Sequence, residues 1–206
     1  MHKNKKNVII RWFLHAYTRW AVRRHFHELV FKPIDIDADK SVLLVSNHFS
    51  YWDSLILFVV NRIHFKKRFH VMALEETTRA QPFVRYGGVF SVKKGSRDLL
   101  ASLHYAADLL KDPRNLVLLF PQGKLHANFV DQVKFEKGIG RILDTSEGKC
   151  QLVFAATFVQ YLRHKKPTAT IYLQNIGGSK ISSDQIENQY QEFYAGKKAE
   201  QNAIVL

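Results

Sequence analysis

The segment Val42–Phe58, VLLVSNHFSYWDSLILF, sets a short polar gap between two apolar runs, and His48 and Asp53 stand in that gap. A neutral imidazole can take a proton from a hydroxyl near neutral pH. A carboxylate on its other ring nitrogen fixes the tautomer and stabilises the imidazolium that forms. A spacing of five is too wide for one helical face. The pair can meet if His48 lies in a loop and Asp53 in the first turn of the following helix, so that the chain doubles back. Phe49, Tyr51 and Trp52 are available to pack such a turn. His64, His70, His104 and His126 show no comparable arrangement and read as surface or packing residues. Cys150 is the only cysteine, so neither a zinc pattern nor an intramolecular disulfide is available, and a reducing compartment suits the chain. Cys150 itself reads as a small residue near the start of a strand.

The elements around the pair follow from pattern. SVLLVSN is a compact Val- and Leu-rich run that suits a buried strand. SLILFVVNRIHF then reads as a buried helix, with Asp53 and Ser54 near its start as capping groups. RFHVMAL reads as a strand, and FKPIDIDADK as a short strand and turn. YGGVFSVKKG places Gly87 and Gly88 before a strand and a basic turn after it. SRDLLASLHYAADLLKD is an amphipathic helix, with Ser96 as a possible N-cap and an end at Lys111–Pro113. NLVLLFPQGK repeats the strand-then-polar-turn pattern. FEKGIGRILDTSEGK reads as helix as far as Gly148, QLVFAATFVQYL and TATIYLQNIG as late strands, and Ser183 to about Gln201 as a polar helix. Gly87, Gly88 and Gly138 are expected to meet backbone needs. Strands alternating with helices predict an α/β fold: a mixed, largely parallel sheet flanked by helices. Sites in such sheets gather beyond the carboxyl ends of the strands, where His48 and Lys124 both fall.

Lys and Arg outnumber Asp and Glu by 31 to 18, a formal charge of +13, which attracts polyanions. A nucleic-acid module is disfavoured, because no zinc finger, RNA-recognition strand motif or helix-turn-helix accompanies the charge. No run approaches the roughly 18 apolar residues of a membrane span. The start, MHKNKKNVIIRWFLHAYTRWAVRRHFHELVF, is interrupted by Arg11, His15, Arg19, Arg23 and Arg24, which speaks against a secretory segment. Helical spacing groups Arg11, His15, Thr18 and Arg19 on one side and Ile10, Phe13, Leu14, Tyr17 and Trp20 on the other. Residues 1–31 are therefore expected to form a basic amphipathic helix at a membrane interface, and residues 32–206 a single globular domain.

NHFSYWD resembles the first motif of the glycerophospholipid acyltransferase family, His-x4-Asp after Asn and rich in aromatics. GGVFSVKK resembles the family's Gly-x-x-Phe-Ile-x-Arg segment, and LVLLFPQGK its Phe-Pro-Glu-Gly-Thr-Arg segment. FEKGIGRIL resembles the Phe-Lys-x-Gly stretch, and LVFAATFV its Val-Pro-Val-type strand. The order matches, about 70 residues separate the first and third motifs, and the resemblance runs from Ser41 to Val159.

The resemblance implies an acyltransferase domain with His48 as general base and Asp53 as its orienting partner. The acceptor hydroxyl of a lysophospholipid or related lysolipid would attack the thioester of acyl-CoA or acyl-ACP directly. This agrees with the absence of a Gly-x-Ser-x-Gly elbow. No metal or cofactor is implied beyond the co-substrate. Backbone N–H groups around Gly123 are candidates for the oxyanion site. Lys93, Lys94, Phe120, Pro121, Gln122, Gly123 and Lys124 fall in the substrate-binding motifs. Membrane lipids and the acyl donor, not nucleic acid, are the implied partners, and the cytoplasmic face of the cell membrane the implied location.

The chain departs from the family at Gln122 and Leu125, where Glu and Arg are usual, and at Lys93, where Arg is usual. Lys93, Lys94 and Lys124 either make a different phosphate site, as point charges without the guanidinium fork, or the acceptor lacks a phosphomonoester. Two alternatives stand beside catalysis of transfer: a non-catalytic lipid-binding protein of the same fold, and an acyl-thioester hydrolase.

Overall fold

The computed structural model describes residues 2–5, 7–93, 97–146, 148–177 and 182–205, Arg97 by its backbone alone. Lys94 and Ser96, both singled out in the sequence, lie outside the described residues. Seven strands are formed by Glu28–Phe31 (β1), Ser41–Ser46 (β2), Arg68–Leu74 (β3), Val89–Val92 (β4), Asn115–Leu119 (β5), Cys150–Gln160 (β6) and Thr168–Gly177 (β7). Six helices are Val8–His25 (α1), Trp52–Ile63 (α2), Glu75–Ala80 (α3), Arg97–Leu109 (α4), Ile139–Thr145 (α5) and Ser183–Asn202 (α6), with a 3-10 segment at Pro82–Gly87. The strands make one sheet in the order β1-β7-β6-β2-β5-β3-β4. Every neighbouring pair is parallel except β6 and β7. The sheet is thus mixed and largely parallel, as the alternation of strands and helices predicts.

β2 and β5 lie inside the sheet with both faces covered, so their side chains are buried without alternation. On one face Leu43, Val117 and Phe154 pack with Leu103 and Leu110 of α4 and its flank, Ile142 of α5, and Tyr190 of α6. On the other, Leu44, Leu118 and Val153 pack with Val22 of α1 and Ile56 and Val60 of α2. Asn7 caps α1 by accepting the Ile10 N–H at 3.0 Å, and Ser182 and Gln185 form a reciprocal capping box on α6. Among the described residues no helix is long and apolar enough to cross a membrane.

Four expectations change. Residues 28–31, assigned to the N-terminal helical segment, form β1 and pair with β7, so the segment joins the domain's own sheet. The following FKPIDIDADK is a loop apart from Phe31. Residues 135–138 are not helical, because their donors go elsewhere. The Phe135 N–H goes to Glu187 Oε1 at 3.1 Å and the Glu136 N–H to the Pro121 carbonyl at 2.7 Å. α5 starts only after Gly138, at φ 137°. Finally, α1 docks on neither grouping alone: Ile10 and Leu14 are half-buried beside Thr18 and His15, while Arg11 and Arg19 stay exposed. Thr18 is buried and His15 half-buried against the Phe58 ring, while Trp12, Phe13, Tyr17 and Trp20 are exposed.

Gly88 fixes the entry into β4. Its φ is +99°, and a Cβ there would collide with the Phe69 carbonyl oxygen. Gly88→Ala is expected to destabilise the protein by about 3 kcal/mol, read by chemical denaturation.

Candidate active site

β2 delivers the chain to the middle of the sheet's carboxyl edge and releases it at Ser46. Asn47 then holds on to the neighbouring strand. Its Nδ2 donates to the Thr157 carbonyl at 2.9 Å and its Oδ1 accepts the Thr157 N–H at 2.8 Å. This side-chain pairing extends the β2–β6 contact past the end of β2 and fixes where residue 48 emerges.

Asp53 closes the turn. Its side chain is 0% exposed, and four groups converge on it. Oδ2 accepts the Phe49 N–H at 2.7 Å, the Ser50 N–H at 2.9 Å and the His48 ring at Nδ1 at 2.8 Å. Oδ1 accepts the Ser50 hydroxyl at 2.9 Å, and Ser50 Oγ in turn accepts the Trp52 N–H at 3.0 Å. The chain does double back, with His48 in the loop and Asp53 in the first turn of α2. A carboxylate can only accept, so Nδ1 carries the hydrogen and Nε2 presents its lone pair. The His48 side chain is 24% exposed, so the ring has access to a ligand.

The loop after β5 holds His48 from the other side. Gln122, buried, accepts the His48 N–H on Oε1 at 2.7 Å, and the His126 N–H donates to the His48 carbonyl at 3.0 Å. The Phe120 ring stacks on the imidazole with centroids 4.0 Å apart and planes within 14°. Two motifs that are 72 positions apart, counting His48 to Phe120, are thus one unit. Gln122, expected to touch substrate, spends its oxygen on His48 and lies outside the cavity lining. The Gly123 N–H donates to the Phe120 carbonyl at 3.1 Å, so it is not an available oxyanion donor.

A cavity of about 550 Å³ opens beside His48, within the ~300–1,000 Å³ of typical ligand sites. Phe120, Pro121, Gly123 and Lys124 line it, as do Tyr51, Leu125 and Lys137, which are exposed at its rim. The interior is apolar: Leu14 and Phe58 from the helices, Phe69 and Val89 from β3 and β4, and Leu103 and Ile139 across the sheet edge. Lys93 is exposed directly after β4 and is not part of the lining. Lys137 was missed as a site residue, although FEKG pointed near it, with the lysine one place later than the family's Phe-Lys-x-Gly. Ser50 positions Asp53 and caps α2's first turn. Cys150 is buried at the start of β6, and burial pushes its thiol up, away from nucleophile chemistry. Among the described residues no group of three or more His, Cys, Asp or Glu could hold a metal ion.

His15 also lines the cavity. Burial, then the Arg62 and Arg11 charges, lower it from 6.5 to about 4. Its folded value lies below the unfolded one, so the unfolded chain binds the proton more tightly. The stability it contributes is full above about pH 6.5 and is lost as pH falls towards 4. His15→Gln is expected to flatten the pH dependence of the denaturation midpoint over that window. A residual slope should remain from His70 and His64, both lowered chiefly by burial. Gln122→Leu leaves the His48 N–H without its acceptor and is expected to cost about 1–3 kcal/mol. Gln122→Glu keeps that acceptor but buries a charge, so it is expected to lose stability at neutral pH and recover it as pH falls and the carboxyl is protonated, read in the same denaturation assay.

Residues 22–156 match the Acyltransferase family. Among solved structures, the 1-acyl-sn-glycerophosphate (LPA) acyltransferase PlsC from Thermotoga maritima shares the fold with a TM-score of 0.66 at 17% identity, over 95% of this chain and 81% of that one. A search of the curated proteins found no match. With a family match spanning both the His48–Asp53 turn and the Phe120–Lys124 loop, the chain belongs to the Acyltransferase family and is an acyltransferase.

Proposed function

We propose that the protein transfers a fatty acyl group from an acyl thioester to a hydroxyl of a lysolipid, with His48 as general base. The observation that carries this reading is the His48–Asp53 pair, with Nε2 unspent, at the rim of an apolar cavity. The acyl chain occupies the apolar interior, which places its carbonyl at the rim. His48 Nε2 takes the proton of the acceptor hydroxyl as that oxygen bonds to the thioester carbon. The tetrahedral intermediate collapses, the C–S bond breaks, and the imidazolium returns its proton to the leaving thiolate. Asp53 holds the tautomer and offsets the imidazolium charge. Acyl-CoA and acyl-ACP both supply such a donor, and no other cofactor enters the cycle.

The acceptor follows from the rim. Lys124 and Lys137 are exposed there and suit an anionic headgroup. The Thermotoga relative is titled as acting on 1-acyl-sn-glycerophosphate, which makes a lysophospholipid the first acceptor to test. Leu125, 55% exposed at the same rim, favours a second reading in which the acceptor carries no phosphomonoester. Both substrates meet at a bilayer. Exposed Trp12, Phe13 and Trp20 on α1 suit an interfacial helix, and Tyr17 of α1 lines the cavity itself. We assign the protein to the cytoplasmic face of the cell membrane as a peripheral enzyme.

A transfer assay with acyl-CoA or acyl-ACP and a lysolipid panel, following thiol release and lipid product together, tests the reading. His48→Ala is expected to lower turnover by about 10²–10⁴-fold with the denaturation midpoint little changed. Full turnover by His48→Ala would remove the base from the mechanism. Thiol release without lipid product would make the enzyme a thioesterase. No His48-dependent turnover of any donor would leave a lipid-binding protein.

A further inference from the structure

A second cavity lies apart from the catalytic one. It is a groove of about 460 Å³ along the outer side of α1, lined by Ala16, Arg19, Trp20, Arg23, Arg24 and Lys166. Lys166 comes from the turn joining β6 to β7, so the groove is built from two separate parts of the chain. That turn is anchored to the end of α1. The His27 N–H donates to the Pro167 carbonyl at 2.8 Å, and the His27 and His164 rings stack with centroids 3.6 Å apart.

Four of the six lining residues are cations, and none is a carboxylate. Among the described residues none of the four has an ion-pair partner. Arg23 and Arg24 sit in the last turn of α1, where the helix dipole alone accounts for them. Arg19 lies a turn earlier and Lys166 lies on another element, so the dipole does not account for these two. Positive charges gathered round one groove repel one another unless an anion offsets them.

The rest of the α1 surface says what kind of anion. Ile9, Trp12 and Phe13 are exposed on the same helix, so its outer side runs from apolar at the start to cationic at the end. The eleven steps from Trp12 to Arg23 span about 16 Å at the helical rise. A molecule with an apolar body and a phosphate head matches that gradient. An acidic protein would meet the cations and leave Trp12 and Phe13 in water, and free phosphate would use none of the apolar stretch.

We propose that this groove binds the phosphate headgroup of an anionic phospholipid, as a docking site separate from the catalytic cavity. The proposal rests on the reading of α1 as membrane-facing. Bound there, the headgroup sits among Arg19, Arg23, Arg24 and Lys166, and the apolar stretch of α1 lies against the acyl region. Tyr17 of the same helix lines the catalytic cavity, so the docked helix holds the cavity's rim at the leaflet.

The test is vesicle co-sedimentation of the full chain with phosphatidylcholine alone or with phosphatidylcholine and phosphatidylglycerol. Wild type is expected to prefer the anionic vesicles, and each cation removed to weaken that binding about fivefold. The variant carrying Arg19→Ala, Arg23→Ala, Arg24→Ala and Lys166→Ala is expected to bind both vesicles alike. Its turnover of a short-chain acyl-CoA in detergent should stay at the wild-type level, which reports an intact fold. The Trp12→Ala, Phe13→Ala variant is expected to lose binding to both vesicles. An anionic preference that survives in the fourfold variant overturns the groove while leaving the membrane reading intact. Wild type that binds neither vesicle overturns the membrane reading. Competition for the vesicles by free inorganic phosphate at millimolar concentration, or by acyl carrier protein through the same four residues, overturns the lipid as occupant.

Discussion

A carboxylate with no exposed surface, Asp53, is the constraint on which the site depends. Burying such a group without compensation costs several kcal/mol. Here the compensation is local: the two backbone N–H groups of Phe49 and Ser50, the Ser50 hydroxyl, and the His48 ring. Those bonds can all form only if residues 48–53 make one tight turn. The same interaction therefore shapes the backbone, seats Asp53 at the start of α2, and leaves the imidazole with one nitrogen occupied and one open. The start of α2 also favours a negative charge through the helix dipole. A carboxylate there is served by its own turn before any substrate arrives.

That turn would still be mobile if only β2 carried it. It is held from both flanks, because β2 lies between β6 and β5 in the sheet. Asn47 engages Thr157 on the β6 side, and Gln122 engages His48 on the β5 side. The end of β2 is thereby tied to β6 and to the loop after β5 by amide side chains, beside the backbone bond from His126 to His48. The loop carrying Gln122 is itself held by α6. Gln191 pairs with both backbone groups of Val133, Glu187 accepts from Phe135, and Lys198 Nζ donates to the Phe129 and Val130 carbonyls. The C-terminal helix thus reaches the His48–Asp53 turn through one intervening loop.

What could be read from the sequence was what is local or periodic. His48 and Asp53 are near enough in the chain for the turn to be deduced, and β3 and β7 are bounded by composition shifts that mark them to the residue. The unread parts are set by distant partners. Nothing near Gln122 says that its oxygen belongs to a backbone N–H 74 positions earlier. FEKG has helical propensity but gives its donors to Glu187 and Pro121, neither of which is close in sequence. That β1 crosses to the far edge and pairs with β7 depends on the whole sheet. Which side of α1 docks is set by the rest of the domain, which buries Thr18, Ala21 and Val22 and holds His15 against the Phe58 ring.

The departure at Gln122 changes meaning once its partner is known. The loss of Glu from the third motif raises the prospect of a fold that kept its shape and lost its chemistry. A residue whose oxygen accepts from His48 needs only an acceptor of the right length, and an amide supplies one as well as a carboxylate does. The substitution therefore leaves the His48 N–H with its acceptor, and under the proposed function it leaves the base in place. Leu125 is a different matter. It is exposed at the cavity rim, where the lining cations Lys124 and Lys137 are flexible point charges rather than a planar fork. An arginine rewards one geometry of a phosphomonoester. Two lysines tolerate phosphate esters of several shapes, so under the proposed function the departure from the family falls on the headgroup and not on the proton transfer.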